Sequence, residues 1–294
     1  YGTSLAFLLA VLVFGVSRGV ARRWLVLPVI GQIQPSEFVK ISFVFFVAAM
    51  FYQSTDRETI IKTTVVAALH VLVLVLSKDL GSALIFFVAY MTMLFVATSS
   101  YLWFGVGIAG GSLAAVAAYY LFPHVRRRVE AWADPWSDIA NKGYQVAQAL
   151  FAIGTGGWFG QGLYKGQPSK TPEVIMDCIF TAVCEELGGI IGICLILICI
   201  ACLLMFIAVA AELYLPFYKL IGIGLTAIYG TQVFLTIGGG IKFIPLTGVT
   251  LPLVSYGGSS VLSTFIIFGI MQELYIKRQN EVERLERIKE RVHY

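Results

Sequence analysis

Long apolar runs alternate with short polar connections along almost the whole chain. A helix needs about 20 apolar residues to cross the roughly 30 Å hydrocarbon core of a bilayer. Runs of about that length predict an all-α, polytopic transmembrane bundle of about eight spans, at residues 3–17, 38–53, 60–77, 81–98, 102–122, 187–210, 216–237 and 252–275.

Composition supports a membrane protein. Hydrophobic residues make up 58% of the 294 positions and charged residues only 13%, more apolar surface than a soluble fold of this length can bury. The cysteines lie in or just before one apolar run, which argues against a disulfide framework or a zinc site. The first run lacks the basic start and small-residue cleavage site of a signal peptide, and we expect the chain, which begins at Tyr1, to be truncated.

One long polar stretch, residues 122–184, interrupts the apolar pattern. It opens with Arg126, Arg127 and Arg128, passes through a glycine-rich run and ends in an acidic segment just before a new apolar helix. Charges of both signs therefore lie where the chain meets the bilayer. This arrangement is typical of a membrane enzyme that acts on an anionic, lipid-borne substrate.

The sequence divides into a bundle, residues 1–276, and a charged tail helix, residues 277–294, with apolar residues at helical spacing. Lys and Arg usually mark the cytoplasmic side, but here they are divided almost evenly between the two faces. Because that rule loses force over long loops, we place the long loop outside the cell and the tail in the cytoplasm.

Separated blocks of sequence resemble the SEDS family, of the RodA, FtsW and SpoVE type. The blocks follow one another in the family's order and lie at residues 21–24 with 34–40, 143–145 with 154–162, 172–177 with 185–188, and 245–260. The resemblance covers the whole chain. It implies a fold of about ten spans, of which the first two would precede Tyr1.

The resemblance implies a peptidoglycan glycosyltransferase of the bacterial cell membrane that polymerises lipid II beside a class B penicillin-binding protein, in elongation, division or sporulation. Such a site needs a base near the attacking sugar hydroxyl and cations near the leaving diphosphate. No cofactor and no nucleic-acid partner are implied. A divalent cation at the diphosphate is possible, although no acidic cluster demands one.

Asp177 matches the family's catalytic aspartate, and the resemblance gives it the role of general base. It precedes an apolar run, so the alternative is a residue that only caps a helix. Where family members commonly have His-Thr, this chain has Ile175 and Met176, which makes the surroundings of the carboxylate drier. This departure leaves open whether the substrate contacts are preserved.

Arginines are the candidates for binding the diphosphate, since a guanidinium matches phosphate oxygens. Arg128 fits the family pattern best and Arg126 is the second candidate in the long loop; contact with lipid headgroups is the alternative for both. Arg23 could bind diphosphate and Trp24 could pack on a sugar or prenyl chain, or anchor at the membrane interface. Gln145 belongs to the family block in the long loop and is a further candidate.

Other candidates lie in or beside the spans. Glu37 and Lys40 are three residues apart on one helix, so they either form a structural ion pair or line a substrate cavity. Ser255 and Tyr256 belong to a Ser-Tyr-Gly-Gly sequence that breaks the helical pattern at the start of the last apolar run. They either line the cavity or allow close helix packing.

Two functions of other classes remain. A lipid II flippase would use Glu37 and Lys40 to line a path and would not need Asp177. A non-catalytic scaffold would only position or activate a penicillin-binding protein.

Overall fold

The computed structural model describes residues 2–18, 21–27 and 31–292. The helices are α1 Gly2–Phe14, α2 Pro35–Gln53, α3 Arg57–Leu76, α4 Leu80–Thr98, α5 Tyr101–Leu121, α6 Pro123–Ala133, α7 Tyr144–Gly156, α8 Ile179–Leu187, α9 Gly189–Glu212, α10 Pro216–Gly240 and α11 Gly258–Val292. The strands are β1 Val16–Arg18, β2 Ala21–Leu27 and β3 Gly31–Ile33, and one 3-10 turn covers Pro168–Lys170.

The helical membrane bundle predicted from the apolar runs is confirmed. Among the described residues, α2, α3, α4, α5, α9, α10 and the first part of α11 are long and apolar enough to cross a bilayer. The shorter α1 has 13 residues, so the count of eight spans stays a prediction. The long loop contains the three short helices α6, α7 and α8.

A small antiparallel sheet joins α1 to α2, and it was not predicted. Strands β1, β2 and β3 lie in that order, with Val16 opposite Trp24 and Leu25 opposite Ile33. Trp24 and Val26 of β2 are residue types that are enriched in strands. The described part of the connection between α1 and α2 therefore pairs with itself.

Helix α10 is the central helix of the bundle and packs against α2, α4 and α9. Small residues allow the close approach. A Cβ added at Gly224 would lie 2.7 Å from Met93 Sδ and from Val44 Cγ1, and one at Gly222 would lie 2.9 Å from Ala210 Cβ. The glycines therefore let side chains of the neighbouring helices reach the backbone of α10.

A buried ion pair connects three helices inside the bundle. Lys40 Nζ lies 2.7 Å from Glu37 Oε2 and donates to Gln232 Oε1 at 2.8 Å. Ser263 of α11 donates to the same Glu37 oxygen at 2.8 Å. Both charged groups are almost fully buried, and their partners come from α10 and α11, so the pair fixes the packing of α2 against both helices.

The long loop and the tail lie at opposite ends of the bundle. At the loop end, the α10–α11 loop, residues 241–257, contacts α6. At the other end, called the tail end below, Arg278 forms an ion pair with Glu212, and the Tyr214 backbone N–H donates to Glu281 at 3.2 Å. The tail continues the last span as one helix of 35 residues, so a domain boundary at residue 277 stays a prediction.

The buried ion pair gives a stability prediction. Glu37→Ala leaves the Lys40 ammonium buried beside a neutral neighbour, so we expect the free energy of unfolding to fall by about 3–5 kcal/mol, the usual cost of removing one partner of a buried pair. The double variant Glu37→Gln/Lys40→Met removes both charges and should recover most of this loss. Unfolding in detergent measures both.

The exposed pair Glu58–Lys62 on α3 is the matched control. Glu58→Gln should change the free energy of unfolding by less than about 1 kcal/mol. An effect of Glu37→Ala no larger than that of Glu58→Gln would contradict a stabilising role for the buried pair.

Candidate active site

A cavity of about 530 Å³ lies at the loop end of the bundle. Its walls come from α6, the turn that follows α6, the start of α7, the segment before α8 and the α10–α11 loop. The lining residues are Arg127, Arg128, Ala131, Asp138, Asn141, Lys142, Gln145, Val146, Asp177, Leu246 and Gly248. Cationic, anionic and amide side chains therefore share one chamber at the membrane surface.

Helix α6 supplies the arginines. It begins with Pro123, which suits the first helical turn because that position needs no backbone N–H partner. Arg127, Arg128 and Ala131 share the side of the helix that faces the cavity, as the 3.6-residue period places them. Two adjacent guanidinium groups therefore line the same wall.

Arg126 faces away from this wall and forms an ion pair instead. Its Nε lies 2.8 Å from Glu130 Oε1, and Lys142 Nζ lies 3.1 Å from the other oxygen of Glu130. The hydrogen bonds from Lys142 and Arg126 lower the pKa of Glu130, so this carboxyl stays ionised. Glu130 thus holds Lys142 at the edge of the cavity.

Contacts between α6 and the α10–α11 loop close one side of the cavity. Arg128 Nη1 donates to the Thr247 carbonyl at 2.8 Å, and the Trp132 indole N–H donates to the Lys242 carbonyl at 3.1 Å. Burial, followed by the charges of Arg128 and Lys78, lowers the pKa of His124. His124 is therefore neutral near pH 7, and the positive charge of this wall comes from Arg and Lys side chains.

Asp177 lies at the end of a tight turn, here named the Asp177 segment, residues 172–178. The backbone N–H groups of Met176 and Asp177 both donate to the Glu173 carbonyl at 3.0 Å. Glu173 itself has a left-handed φ of 52°, a conformation that is uncommon for a residue with a side chain. The turn leaves Asp177 half-buried on the cavity wall, two residues before α8.

The α10–α11 loop holds the Asp177 segment by its backbone. The Ser255 hydroxyl donates to the Met176 carbonyl at 2.5 Å, and the Tyr256 N–H donates to the Ile175 carbonyl at 2.8 Å. Ser255 Oγ also accepts from the Leu251 N–H at 2.8 Å. These bonds fix the two residues that precede Asp177 without using their side chains.

Gln145 holds the same segment from the opposite side. Its amide donates to the Pro172 carbonyl at 3.2 Å and lies 3.7 Å from Cys178 Sγ. Burial, with a smaller contribution from the negative charge of Asp177, raises the pKa of Cys178 to about 12. Cys178 is therefore a neutral packing residue beside Asp177, and it is not a nucleophile.

The structure separates the predicted site residues into groups. Arg128, Gln145 and Asp177 share the cavity, whereas Arg126 lies outside its lining because Glu130 binds it. Glu37 and Lys40 form the buried ion pair and line none of the described cavities.

Ser255 and Tyr256 position the Asp177 segment, and the Tyr256 side chain is exposed. Trp24 lies on β2 and is half-buried, while the side chain of Arg23 lies outside the described part of the structure.

The sequence-based prediction of site residues did not include Arg127, Lys142, Leu246 or Gly248, which line the cavity. Arg127 belongs to a triplet whose members cannot be told apart without knowing which way α6 faces. Lys142 follows Asp138 and Asn141 in a tight turn, where Asn141 donates to Asp138 at 2.9 Å. That Asp-x-x-Asn pattern indicates a turn, but it does not indicate what the turn contacts.

The fold and the cavity define a multi-pass helical membrane protein with a polar chamber at one end of its bundle. A sequence profile of the FtsW, RodA and SpoVE family, described as cell cycle proteins, matches residues 1–280. The chain belongs to this family.

Curated relatives agree with that membership. The peptidoglycan glycosyltransferase RodA of Mycobacterium tuberculosis is 35% identical over 271 residues, which cover 86% of this chain and 57% of the relative. The probable peptidoglycan glycosyltransferase FtsW of Aliivibrio salmonicida is 33% identical over 95% of this chain and 71% of its own length. The chain therefore spans a little more than half the length of the mycobacterial RodA.

Solved structures share the fold. A chain from a peptidoglycan synthase complex that coordinates polymerization and crosslinking has a TM-score of 0.77 at 27% identity, covering 95% of this chain and 79% of that chain. The rod shape determining protein RodA of Thermus thermophilus has a TM-score of 0.67 at 26% identity, covering 95% and 77%.

The hydrogen bonds that Ser255 forms next to Asp177 give a second prediction. Ser255→Ala leaves the Met176 carbonyl and the Leu251 N–H without this partner, and an unsatisfied buried polar group costs about 1–3 kcal/mol. We expect amide hydrogen exchange within residues 172–178 to rise by about tenfold or more, while exchange in the spans is unchanged. Mass spectrometry of the exchanged peptides measures this.

Ser137→Ala is the control, because this exposed hydroxyl bonds only to the Asp134 carbonyl in its own turn. Equal exchange of residues 172–178 in both variants would show that Ser255 does not hold the segment.

Proposed function

We propose that the chain carries the catalytic chamber of a peptidoglycan glycosyltransferase that polymerises lipid II into glycan strands. One observation carries the proposal: the carboxylate of Asp177 shares a cavity at the loop end of a membrane bundle with Arg127, Arg128 and Lys142. A base and several cations in one chamber match a reaction in which a sugar hydroxyl displaces a lipid diphosphate.

In the proposed reaction, the acceptor sugar's 4-hydroxyl oxygen attacks the donor's anomeric carbon. Asp177 takes the hydroxyl proton as the new glycosidic bond forms. The bond between the anomeric carbon and the diphosphate oxygen breaks, and the undecaprenyl diphosphate leaves with the bonding electron pair. Arg127, Arg128 and Lys142 stabilise the negative charge that develops on the diphosphate.

Carboxylate basicity supplies only part of the rate in this proposal. An aspartate has an ordinary pKa of about 3.9, so its driving force for taking a hydroxyl proton is small. Holding the reactants in line supplies much of the remainder. The hydrogen bonds from Ser255, Tyr256 and Gln145 to the Asp177 segment serve that purpose, because they fix where the carboxylate stands.

The names of the relatives support the same activity, since mycobacterial RodA and the FtsW proteins are peptidoglycan glycosyltransferases or probable ones. The solved synthase complex combines polymerization with crosslinking. By analogy, we infer that a class B penicillin-binding protein is the partner of this chain. The chamber would then face the outside of the bacterial cell membrane and the tail the cytoplasm.

No specific observation favours the flippase. Its path was expected to use Glu37 and Lys40, whose charges are buried and satisfied by each other, Gln232 and Ser263. Opening such a path would break a hydrogen-bonded pair in the low-dielectric interior. The scaffold makes a different prediction from the polymerase when Asp177 is changed.

The role of Asp177 is tested by Asp177→Asn and Asp177→Ala in the purified full-length protein with its transpeptidase partner. Both variants should lower glycan-strand synthesis from labelled lipid II by about 10²–10⁴-fold, the usual loss on removing a general base. Both should stay folded and bound to the partner, because a half-buried surface carboxylate contributes little to the core. Gel analysis of the products gives the rate.

Glu173→Gln is the matched control, since Glu173 lies in the same segment with an exposed side chain. Its strand synthesis should remain close to that of the unchanged protein. A helix cap would tolerate Asn, which caps about as well as Asp, and a scaffold or flippase would tolerate both changes at Asp177. An active Asp177→Asn protein would therefore overturn the proposed mechanism.

The arginine triplet offers a second test with a built-in control. Arg127→Ala removes a cation from the cavity wall, and a hydrogen bond to a charged group contributes about 1.5–3 kcal/mol. We therefore expect kcat/KM for lipid II to fall by about 10- to 100-fold.

The neighbouring change Arg126→Ala removes a charge that is bound to Glu130 outside the cavity, and it should leave kcat/KM within about twofold, as expected for an exposed pair. Equal losses in the two variants would show that the triplet acts through overall charge rather than through the cavity.

A further inference from the structure

The glycine-rich loop after α7 presents an exposed group of large apolar side chains, which we name the aromatic tip. It consists of Trp158, Phe159, Leu163 and Tyr164, with exposed fractions of 65%, 85%, 61% and 95%. None of the four lines the cavity that contains Asp177. A cluster of this kind on a protein surface marks a site of contact with a membrane or another molecule.

The loop backbone that carries the tip is held in place. Gln161 N–H donates to the Glu185 carbonyl and Gly162 N–H to the Glu186 carbonyl, each at 2.9 Å. On the other side, Gly189 N–H donates to the Gly157 carbonyl at 2.8 Å. The Glu185 carboxylate, itself buried, accepts from the Gln167 N–H at 2.8 Å. The apolar side chains are therefore presented by a fixed scaffold.

The aromatic tip lies beside the first turn of α9. The Ile190 N–H donates to the Trp158 carbonyl at 3.3 Å, and a Cβ added at Gly189 would lie 3.7 Å from the Trp158 ring. Helix α9 has 24 residues and is therefore about 36 Å long, slightly more than the roughly 30 Å hydrocarbon core. Its first residues thus stand at headgroup level.

The tip is continuous with a lipid-facing surface. Ile190, Ile191 and Ile193 of α9 are exposed and belong to a helix apolar enough to span the membrane. Trp and Tyr side chains are enriched at this depth, where the ring is buried and its polar atom stays hydrated. Lys165, directly after Tyr164, is exposed and provides a cation at the level of the lipid phosphates.

We propose that the aromatic tip enters the headgroup region of the bilayer and seats the long loop on the membrane. The occupant of this surface is the lipid interface itself. If a protein partner covered these four side chains, the adjoining apolar surface at Ile190 and Ile191 would still face lipid. One continuous apolar face would then be divided between a protein and the bilayer.

Insertion of the aromatic tip also sets the height of the Asp177 carboxylate relative to the bilayer surface. Gly160 and Gly188 allow the loop and the end of α8 to approach closely, because a Cβ at Gly160 would lie 2.2 Å from the Glu186 carbonyl oxygen. Helix α8 starts two residues after Asp177. The loop, α8 and the carboxylate therefore form one body, whose depth in the headgroup layer follows the depth of the tip.

Fluorescence quenching tests the membrane contact without reference to any activity. The full chain is reconstituted into phosphatidylcholine vesicles whose acyl chains carry bromine either near the headgroup or near the chain middle. The emission of Trp158 is the difference between the unchanged protein and Trp158→Phe. We expect this difference to be at least halved by the shallow bromines and reduced less by the deep ones.

Vesicles without bromine and the Trp158→Phe protein are the controls for the other tryptophans. Equal Trp158 emission with and without bromine would place the side chain in water and overturn the proposal; that outcome would leave the aromatic tip as a surface for a protein partner. Stronger quenching by the deep bromines would also overturn it, because it would place the tip in the hydrocarbon core.

The effect on height rests on the proposed function and needs a separate measurement. Trp158→Ala/Phe159→Ala should lower lipid II polymerisation in vesicles by about 10- to 100-fold, as small misplacements of a reacting group do, and should leave the rate in detergent unchanged. The control Tyr101→Ala/Leu102→Ala removes exposed apolar side chains at the tail end of the bundle and should leave both rates unchanged.

Equal rates of the tip variant and the unchanged protein in vesicles would refute the effect on height. If the unchanged protein made no strands at all, the proposed function would fail, while the quenching result would still decide whether the tip enters the membrane.

Discussion

The buried contact between Lys40 and Glu37 is the interaction on which the rest of the structure depends. Lys40 donates a hydrogen bond to Gln232 of α10, and the amide of Gln232 in turn donates to the Thr250 carbonyl at 3.0 Å. Thr250 lies in the α10–α11 loop, whose Ser255 binds the Asp177 segment. A path of hydrogen bonds and loop backbone thus runs from a charge inside the bundle to the segment that carries the candidate base. The cost of burying the charges is offset only while every partner stays in place, so the same requirement that holds the helices together also fixes the loop beneath the chamber.

The chamber brings side chains of both charge signs together. Glu130 binds Arg126 and Lys142 at its edge, and Arg128 uses one guanidinium nitrogen on the Thr247 carbonyl. A guanidinium has several donors in a fixed fork, and the contact with the Thr247 carbonyl orients Arg128 on the cavity wall. Arg127 projects from the same wall of α6. The cavity thus carries cationic side chains on its α6 side and the carboxylate of Asp177 on its wall, and the proposed function rests on this combination.

The bundle was predictable from the sequence because the bilayer imposes it: a run of apolar residues of the right length has to be a helix, as α2 to α5 and α9 to α11 are. Strands β1, β2 and β3 between α1 and α2 were missed, because a connection between membrane helices has no such constraint. At the site, Asp177 and Arg128 could be found through family motifs. Arg127 could not be chosen over Arg126, since the rotation of α6 about its axis depends on the contacts of Arg128 and Trp132 with the α10–α11 loop, which is distant in sequence. Ser255 and Tyr256 were placed in the right region, but their action on the backbone of Ile175 and Met176 depends on tertiary contacts that no local pattern encodes.

The unusual Ile175 and Met176 next to Asp177 follow from this way of holding the segment. Both residues are gripped through their carbonyl oxygens, by the Tyr256 N–H and the Ser255 hydroxyl, and the Ile175 side chain is exposed. Every residue has a backbone carbonyl, so these two hydrogen bonds do not depend on which side chains occupy the positions. Neither Ile175 nor Met176 is among the residues that line the cavity with Asp177. The position of the Asp177 segment is therefore held by the α10–α11 loop and Gln145 through backbone contacts rather than through the side chains of Ile175 and Met176.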